Sequence, residues 1–175
     1  KGKVVLVDFW TYTCINCQRT LPYLKDWYEK YKDDGLVVVG VHTPEFEFEK
    51  NAENVGEAIK DFELKYPIVQ DNNYATWNAY SNRYWPAKYL VDKDGFIRYF
   101  HFGEGDYDLT EKAIQDLLGD TAAAQTIDNS GYEIESKTPE LYLGYSRIQY
   151  LSSPEEIQKD KSALYSSPQT QDEST

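Results

Sequence analysis

Cys14 and Cys17 stand three residues apart and are the only cysteines in the chain. They follow the apolar run Val4-Val5-Leu6-Val7-Asp8-Phe9-Trp10 and open a stretch with helical periodicity. A buried strand that passes into a helix through Cys-x-x-Cys narrows the possible folds sharply, because it demands a βα unit with both thiols at the helix start. At helical spacing the two Cβ atoms lie roughly 5–6 Å apart, within reach of pairing after a small adjustment. The spacing alone also admits half of a metal site, or two unrelated cysteines. A dithiol/disulfide switch makes the fullest use of two lone thiols one turn apart, so the chain is a candidate redox enzyme.

Position on the helix separates the two thiols. Cys14 falls at the helix N-terminus, where unpaired backbone N–H groups and the macrodipole favour an anion. Its pKa should fall below that of a free cysteine, making it the nucleophile toward a substrate disulfide. Cys17, one turn deeper, should resolve the mixed disulfide.

The rest of the pattern supplies the frame. Residues 3–9 read as a buried strand, and a helix follows over Ile15–Asp33 with Leu21, Leu24, Tyr28 and Tyr31 on one face. Pro22 should kink this helix and Gly35 cap its end. Leu36–Val41 is a second buried strand, His42–Phe46 a loop, and Asn51–Leu64 a second helix. Tyr66–Val69 is extended, with a small helix near Tyr74–Tyr80. Pro86–Val91 and Phe96–Phe102 form a hairpin around Asp92-Lys93-Asp94-Gly95, where Gly95 supplies positive φ. A last helix, capped by Asp108 or Thr110, ends at Leu118-Gly119. The order β-α-β-α, then hairpin, then α, implies an α/β fold: a central mixed sheet with helices on both faces.

Composition limits the functional classes. The 175 residues are 41% hydrophobic, enough for one sizeable core. The net charge of −12 is shared evenly between residues 1–119 and 120–175, with no basic stripe, which argues against nucleic acid or anionic lipid as the main partner. No apolar run approaches the ~18 residues needed to cross a bilayer. A chain that opens at Lys1 without an initiator Met reads as a fragment, so a signal or anchor would lie outside it. We expect a first domain over residues 1–119, an extension over 120–150 that keeps Tyr132, Leu141, Tyr142, Leu143 and Tyr145 for packing, and a linker or disordered tail over 151–175.

Three motifs together resemble the thioredoxin superfamily. Asp8-Phe9-Trp10, three residues, then Cys14-Ile15-Asn16-Cys17 is similar to its signature. The resemblance implies a thioredoxin-like fold. It also implies that Asp8 is buried beneath the disulfide and assists proton transfer at the second thiol, and burial would raise its pKa toward neutrality as that role requires. Trp10 matches the family's aromatic before the motif, either packing the core or shaping the site. Trp85-Pro86-Ala87-Lys88-Tyr89-Leu90-Val91 resembles the segment that places a cis-proline opposite the cysteines. By that resemblance Pro86 is cis, the backbone of Trp85 pairs with substrate backbone, and the Trp85 ring forms a groove wall. Glu45, in the loop after the second strand, falls near the cysteines and would contact substrate or tune Cys14. The Gly-Pro of cytosolic thioredoxins is replaced by Ile15-Asn16, so the potential does not transfer. Their lysine near the buried acid has no counterpart on Leu36–Val41.

Within the superfamily, the insertion before Tyr66-Pro67 resembles extracytoplasmic TlpA/ResA-like members. The strings Trp10–Cys17, Val41–Phe46 and Trp85–Leu90 resemble the soluble domain of DipZ-type proteins, which fuse it to a CcdA-like membrane electron-transfer domain. The segment Thr138–Tyr145 resembles their connection to a further C-terminal β domain, and family members carry one or two strands before the first strand seen here. The implied function is disulfide exchange on proteins outside the cytoplasm, as a reductant fed by a CcdA-like membrane donor. The partners implied are proteins with disulfides or thiols, without cofactor or metal. His42 and His101 lack zinc-type spacing. Two other readings stay open: a thiol peroxidase, suggested by Thr11 three residues before Cys14 but lacking the expected proline at Val7, and a redox-inactive binding module.

Overall fold

The computed structural model describes residues 2–119, 153–159 and 161–166. It contains five strands, β1 (Val4–Trp10), β2 (Leu36–His42), β3 (Ile68–Gln70), β4 (Ala87–Val91) and β5 (Ile97–Phe102). Four α-helices, α1 (Ile15–Tyr31), α2 (Ala52–Asp61), α3 (Ala75–Ala79) and α4 (Tyr107–Leu118), and one 3₁₀ turn at Glu47–Lys50 complete it. The sheet order is β3-β2-β1-β4-β5. β1 pairs parallel with β2, and β2 with β3, while β4 runs antiparallel to both β1 and β5. The mixed sheet with helices on both faces is the arrangement expected.

Alternation along the central strand sorts the core into two layers. Val4, Leu6 and Trp10 of β1 face α1 and α4, packing with Leu21, Leu24, Trp27, Tyr31 and Ile114. Val7 and Phe9 face the other way, onto Trp77 of α3 and Tyr89 of β4. Asp8 and its cross-strand partner Lys88 therefore share the α1 side of the sheet. In α1 the buried residues Cys17, Leu21, Leu24, Trp27 and Tyr31 recur at spacings of three and four, which is why this segment seats on the sheet as a helix.

Several ends differ from the sequence expectation for local reasons. α1 stops at Tyr31 with Lys32 as C-cap, and Gly35 instead takes positive φ (+107°) at the turn into β2. The helix is continuous through Pro22. β1 and β2 each run one residue further, because Trp10 and His42 remain in register. Asn51 caps α2 through its side chain, accepting the Glu53 N–H at 2.8 Å, and is not its first residue. α4 starts at Tyr107 behind Asp106, not at a cap formed by Asp108 or Thr110; the Thr110 hydroxyl instead donates to the Asp106 carbonyl at 3.0 Å. Gly95 has the expected positive φ, +99°.

The chain divides into two units, Lys1–Ile134 and Glu135–Thr175. The extension expected over 120–150 lies outside the described residues. In the second unit the described residues form no helix or strand. There the Glu155 carboxylate accepts from the Ser166 N–H at 3.1 Å and from the Ser153 and Ser166 hydroxyls. Among the described residues no helix is long and apolar enough to cross a membrane.

Candidate active site

Cys14 is the N-cap of α1, with extended backbone, and its Sγ accepts the Cys17 N–H at 3.2 Å. Both cysteines are free thiols; Cys14 is half-buried and Cys17 fully buried. Their acidities diverge as the geometry demands. The hydrogen bond from the Cys17 thiol lowers the pKa of Cys14; burial pushes it up, and the N–H groups of Cys17 and Asn16 lower it further, leaving a net fall. Burial, and the hydrogen bond its thiol donates to Cys14, hold Cys17 well above the ordinary thiol range. The sulfur in partial contact with solvent is thus the more acidic of the two, and the buried one holds its proton more tightly.

Asp8 lies on β1 with no exposed surface, and burial raises its pKa to about 7, against a smaller lowering by Lys88. Its charge in turn raises Cys17, which puts the acid within electrostatic range of the deeper thiol. Pro86 follows Trp85 through a cis peptide bond at the entry to β4. The Trp85 indole packs on Trp77, with ring centroids 4.1 Å apart, and its Nε1 donates to the Thr43 carbonyl at 3.0 Å. It thereby ties the proline loop to the loop after β2. Trp10 is buried, edge-on to His42 and Phe62, within the core layer under α1. Glu45 is exposed, and its charge raises the Cys14 pKa, so the loop after β2 does come close to the nucleophile.

Three supporting residues carry no motif of their own in the sequence, where His42 stands out only beside His101 as a metal candidate. Glu49 is fully buried and accepts from the Thr13 hydroxyl, the Glu45 N–H at 2.6 Å and the Phe46 N–H at 2.9 Å. Burial alone would raise its pKa, but these bonds lower it, so an anion clamps the loop bearing Glu45 to the residue before Cys14. In sequence Glu49 is hidden in the charged string Glu45-Phe46-Glu47-Phe48-Glu49-Lys50. His42 is held neutral, its pKa lowered to about 4 chiefly by burial; its Nε2 accepts the Tyr12 N–H and lies 3.3 Å from the Thr11 hydroxyl. His101 sits on β5, bonded to the Glu104 carbonyl at 3.0 Å, on a strand remote from β2. Lys88, the third, has no exposed surface and faces Asp8 across the β1–β4 ladder. Its signal was a lone charge inside an apolar strand.

Comparison with known proteins agrees with the fold. The family model described as AhpC/TSA matches residues 1–100. Protein DipZ of Mycobacterium bovis is 48% identical over 155 residues, 85% of this chain and 22% of the relative. The chain thus spans about a fifth of the length of the DipZ relatives it matches. The thiol-disulfide oxidoreductase YkuV of Bacillus subtilis is 32% identical over 68% of this chain and 80% of its own length. Among solved structures, the exposed lipoprotein thioredoxin Etrx1 of Streptococcus pneumoniae is 25% identical, with a TM-score of 0.59 over 67% of this chain and 87% of that one.

Proposed function

The chain belongs to the AhpC/TSA family, with a thioredoxin-like fold, and from that we propose that it is a thiol–disulfide oxidoreductase acting on protein disulfides outside the cytoplasm. The observation that carries this reading is the pairing of an acidified, half-buried Cys14 with a buried, protonated Cys17 at one helix start. The Cys14 thiolate attacks one sulfur of a substrate disulfide, forming a mixed disulfide and releasing the other sulfur as a thiolate that takes up a proton. Cys17 then gives its proton to the Asp8 carboxylate and attacks the Cys14 sulfur. The Cys14–Cys17 disulfide forms, the substrate's second thiolate leaves, and that thiolate is protonated in turn. Two electrons pass from the dithiol to the substrate.

Pro86 and Trp85 dock the substrate strand beside Cys14, Trp10 fixes the floor, and Glu45 tunes the nucleophile. The direction proposed is reduction, with electrons resupplied by a CcdA-like membrane donor. The 48% identity to DipZ supports the donor, and the likeness to an exposed lipoprotein supports the location.

Insulin reduction with dithiothreitol as electron source tests the activity. Wild-type protein should accelerate insulin precipitation, Cys14→Ser should be inactive, and Cys17→Ser should accumulate the mixed disulfide. No acceleration by wild type would overturn the reading. The dithiol's potential decides direction: a value near ~−270 mV marks a reductant and one near ~−120 mV an oxidant.

A further inference from the structure

Lys88 and Asp8 form a directly opposed pair in the antiparallel β1–β4 ladder. Directly opposite residues project from the same face of a sheet, with Cβ atoms roughly 4.5–5.5 Å apart. Here that face is the one covered by α1, the helix that carries Cys17. Neither has any exposed surface. Lys88 Nζ and both Asp8 carboxylate oxygens have no hydrogen-bond partner among the described residues. A buried ammonium and a buried carboxyl without such partners are costly groups to keep in a core. Leu90, two residues along the same strand and on the same face, shows that an aliphatic side chain fits this layer. The ionisable pair is set instead within electrostatic range of Cys17.

From this geometry we infer that Lys88 is a positioning residue for the proton step: its ammonium, supplied by β4, sets how readily Asp8 takes the proton of Cys17. The inference rests on the role proposed above for Asp8. Burial lowers the Lys88 pKa, against the opposing charges of Asp8, Cys17 and Glu104; in this step Lys88 gives up no proton, and the one that moves passes from Cys17 Sγ to Asp8 as the Cys14–Cys17 bond forms. The titratable and charged groups around the pair come from every element packed on it. Cys17 faces it from α1, Tyr66 acts on Asp8 from the segment before β3, and Glu104 acts on Lys88 from the β5–α4 loop. Glu104 is itself paired with Arg19 of α1 at 3.4 Å. Tyr66 stays neutral because burial holds its hydroxyl well above the ordinary range. Lys88 is therefore the one cation within electrostatic range of Asp8 among the described residues.

The test is a carbon-13 NMR titration of the Asp8 carboxyl in the reduced protein, beside the pH profile of insulin reduction. The wild-type midpoint should lie near pH 7. In Lys88→Met the carboxylate loses its stabilising cation, and the midpoint should rise by about one pH unit or more. At neutral pH the ionised fraction then falls from about a half to about a tenth, so the rate of mixed-disulfide resolution should drop about fivefold. Lys88→Arg, which keeps the charge, should hold the midpoint near the wild-type value. If Lys88→Met fails to fold, nitrogen-15 shifts of Lys88 Nζ in the wild type decide: an inflection at the Asp8 midpoint supports the coupling, and its absence overturns it. An unshifted Asp8 midpoint in folded Lys88→Met overturns the inference while leaving Asp8's own role intact. A pH profile unchanged in Asp8→Asn removes both.

Discussion

Asp8 and His42 are buried groups near the dithiol whose ionisation carries a folding consequence, and they pull in opposite directions. Asp8 has a folded pKa of about 7 against an ordinary 3.8. Between those values the unfolded chain gives up the proton and the folded chain keeps it, so stability from this site falls as pH rises from about 4 to about 7 and is level above. His42 is depressed to about 4 from 6.5, so its contribution is present above its unfolded value and is lost as pH falls through the folded one. Asp8→Asn removes the first effect alone. Relative to wild type it should gain on the order of 4 kcal/mol between about pH 4 and about pH 8, read by urea unfolding across that range. A stability difference independent of pH would contradict burial as the cause of the raised value. Asp8 thus destabilises the fold at neutral pH, a cost that the proton step proposed for it would account for.

At the level of elements, the site is held by strand ends and one clamped loop. β1 and β2 stay paired to Trp10 and His42, which brings the loop after β2 against the start of α1. Glu49 fixes that loop, and Trp85 ties it to the cis-proline turn. β2 itself depends on a glycine: a Cβ at Gly40 would stand 2.4 Å from Ile68 Cδ1 and 3.0 Å from Trp10 Nε1. Gly40→Ala should therefore force Ile68 to rotate and press on the Trp10 ring, lowering stability by about 1–3 kcal/mol in denaturant unfolding. A neutral result would mean that β3 moves aside freely. The βα unit around the cysteines was legible because its signals are local: apolar alternation, helical spacing and a capping position. Helix ends were less so, since α1 stops at Tyr31 and α4 starts behind Asp106 through turns that no nearby side chain announces.

For the molecule as a whole, charge and exposed surface oppose each other. Tyr84, Phe96, Ile97, Phe100 and Phe102 are exposed on or beside β5, an edge strand of the sheet. Such an edge is a template for pairing between chains, restrained here by the net charge of −12. That restraint fades toward the sequence pI of 4.6, so light scattering should show association rising steeply near that pH, and less so for Phe100→Thr. Equal scattering by both proteins would remove β5 as the contact. The sequence by itself determined the two cysteines one turn apart at the start of α1, and the mixed sheet, because each rests on spacing along the chain. The placement of Lys88 opposite Asp8 and of Glu49 against Thr13 was decided only by the tertiary structure. Both depend on registers between segments more than thirty residues apart, set by packing and ladder pairing.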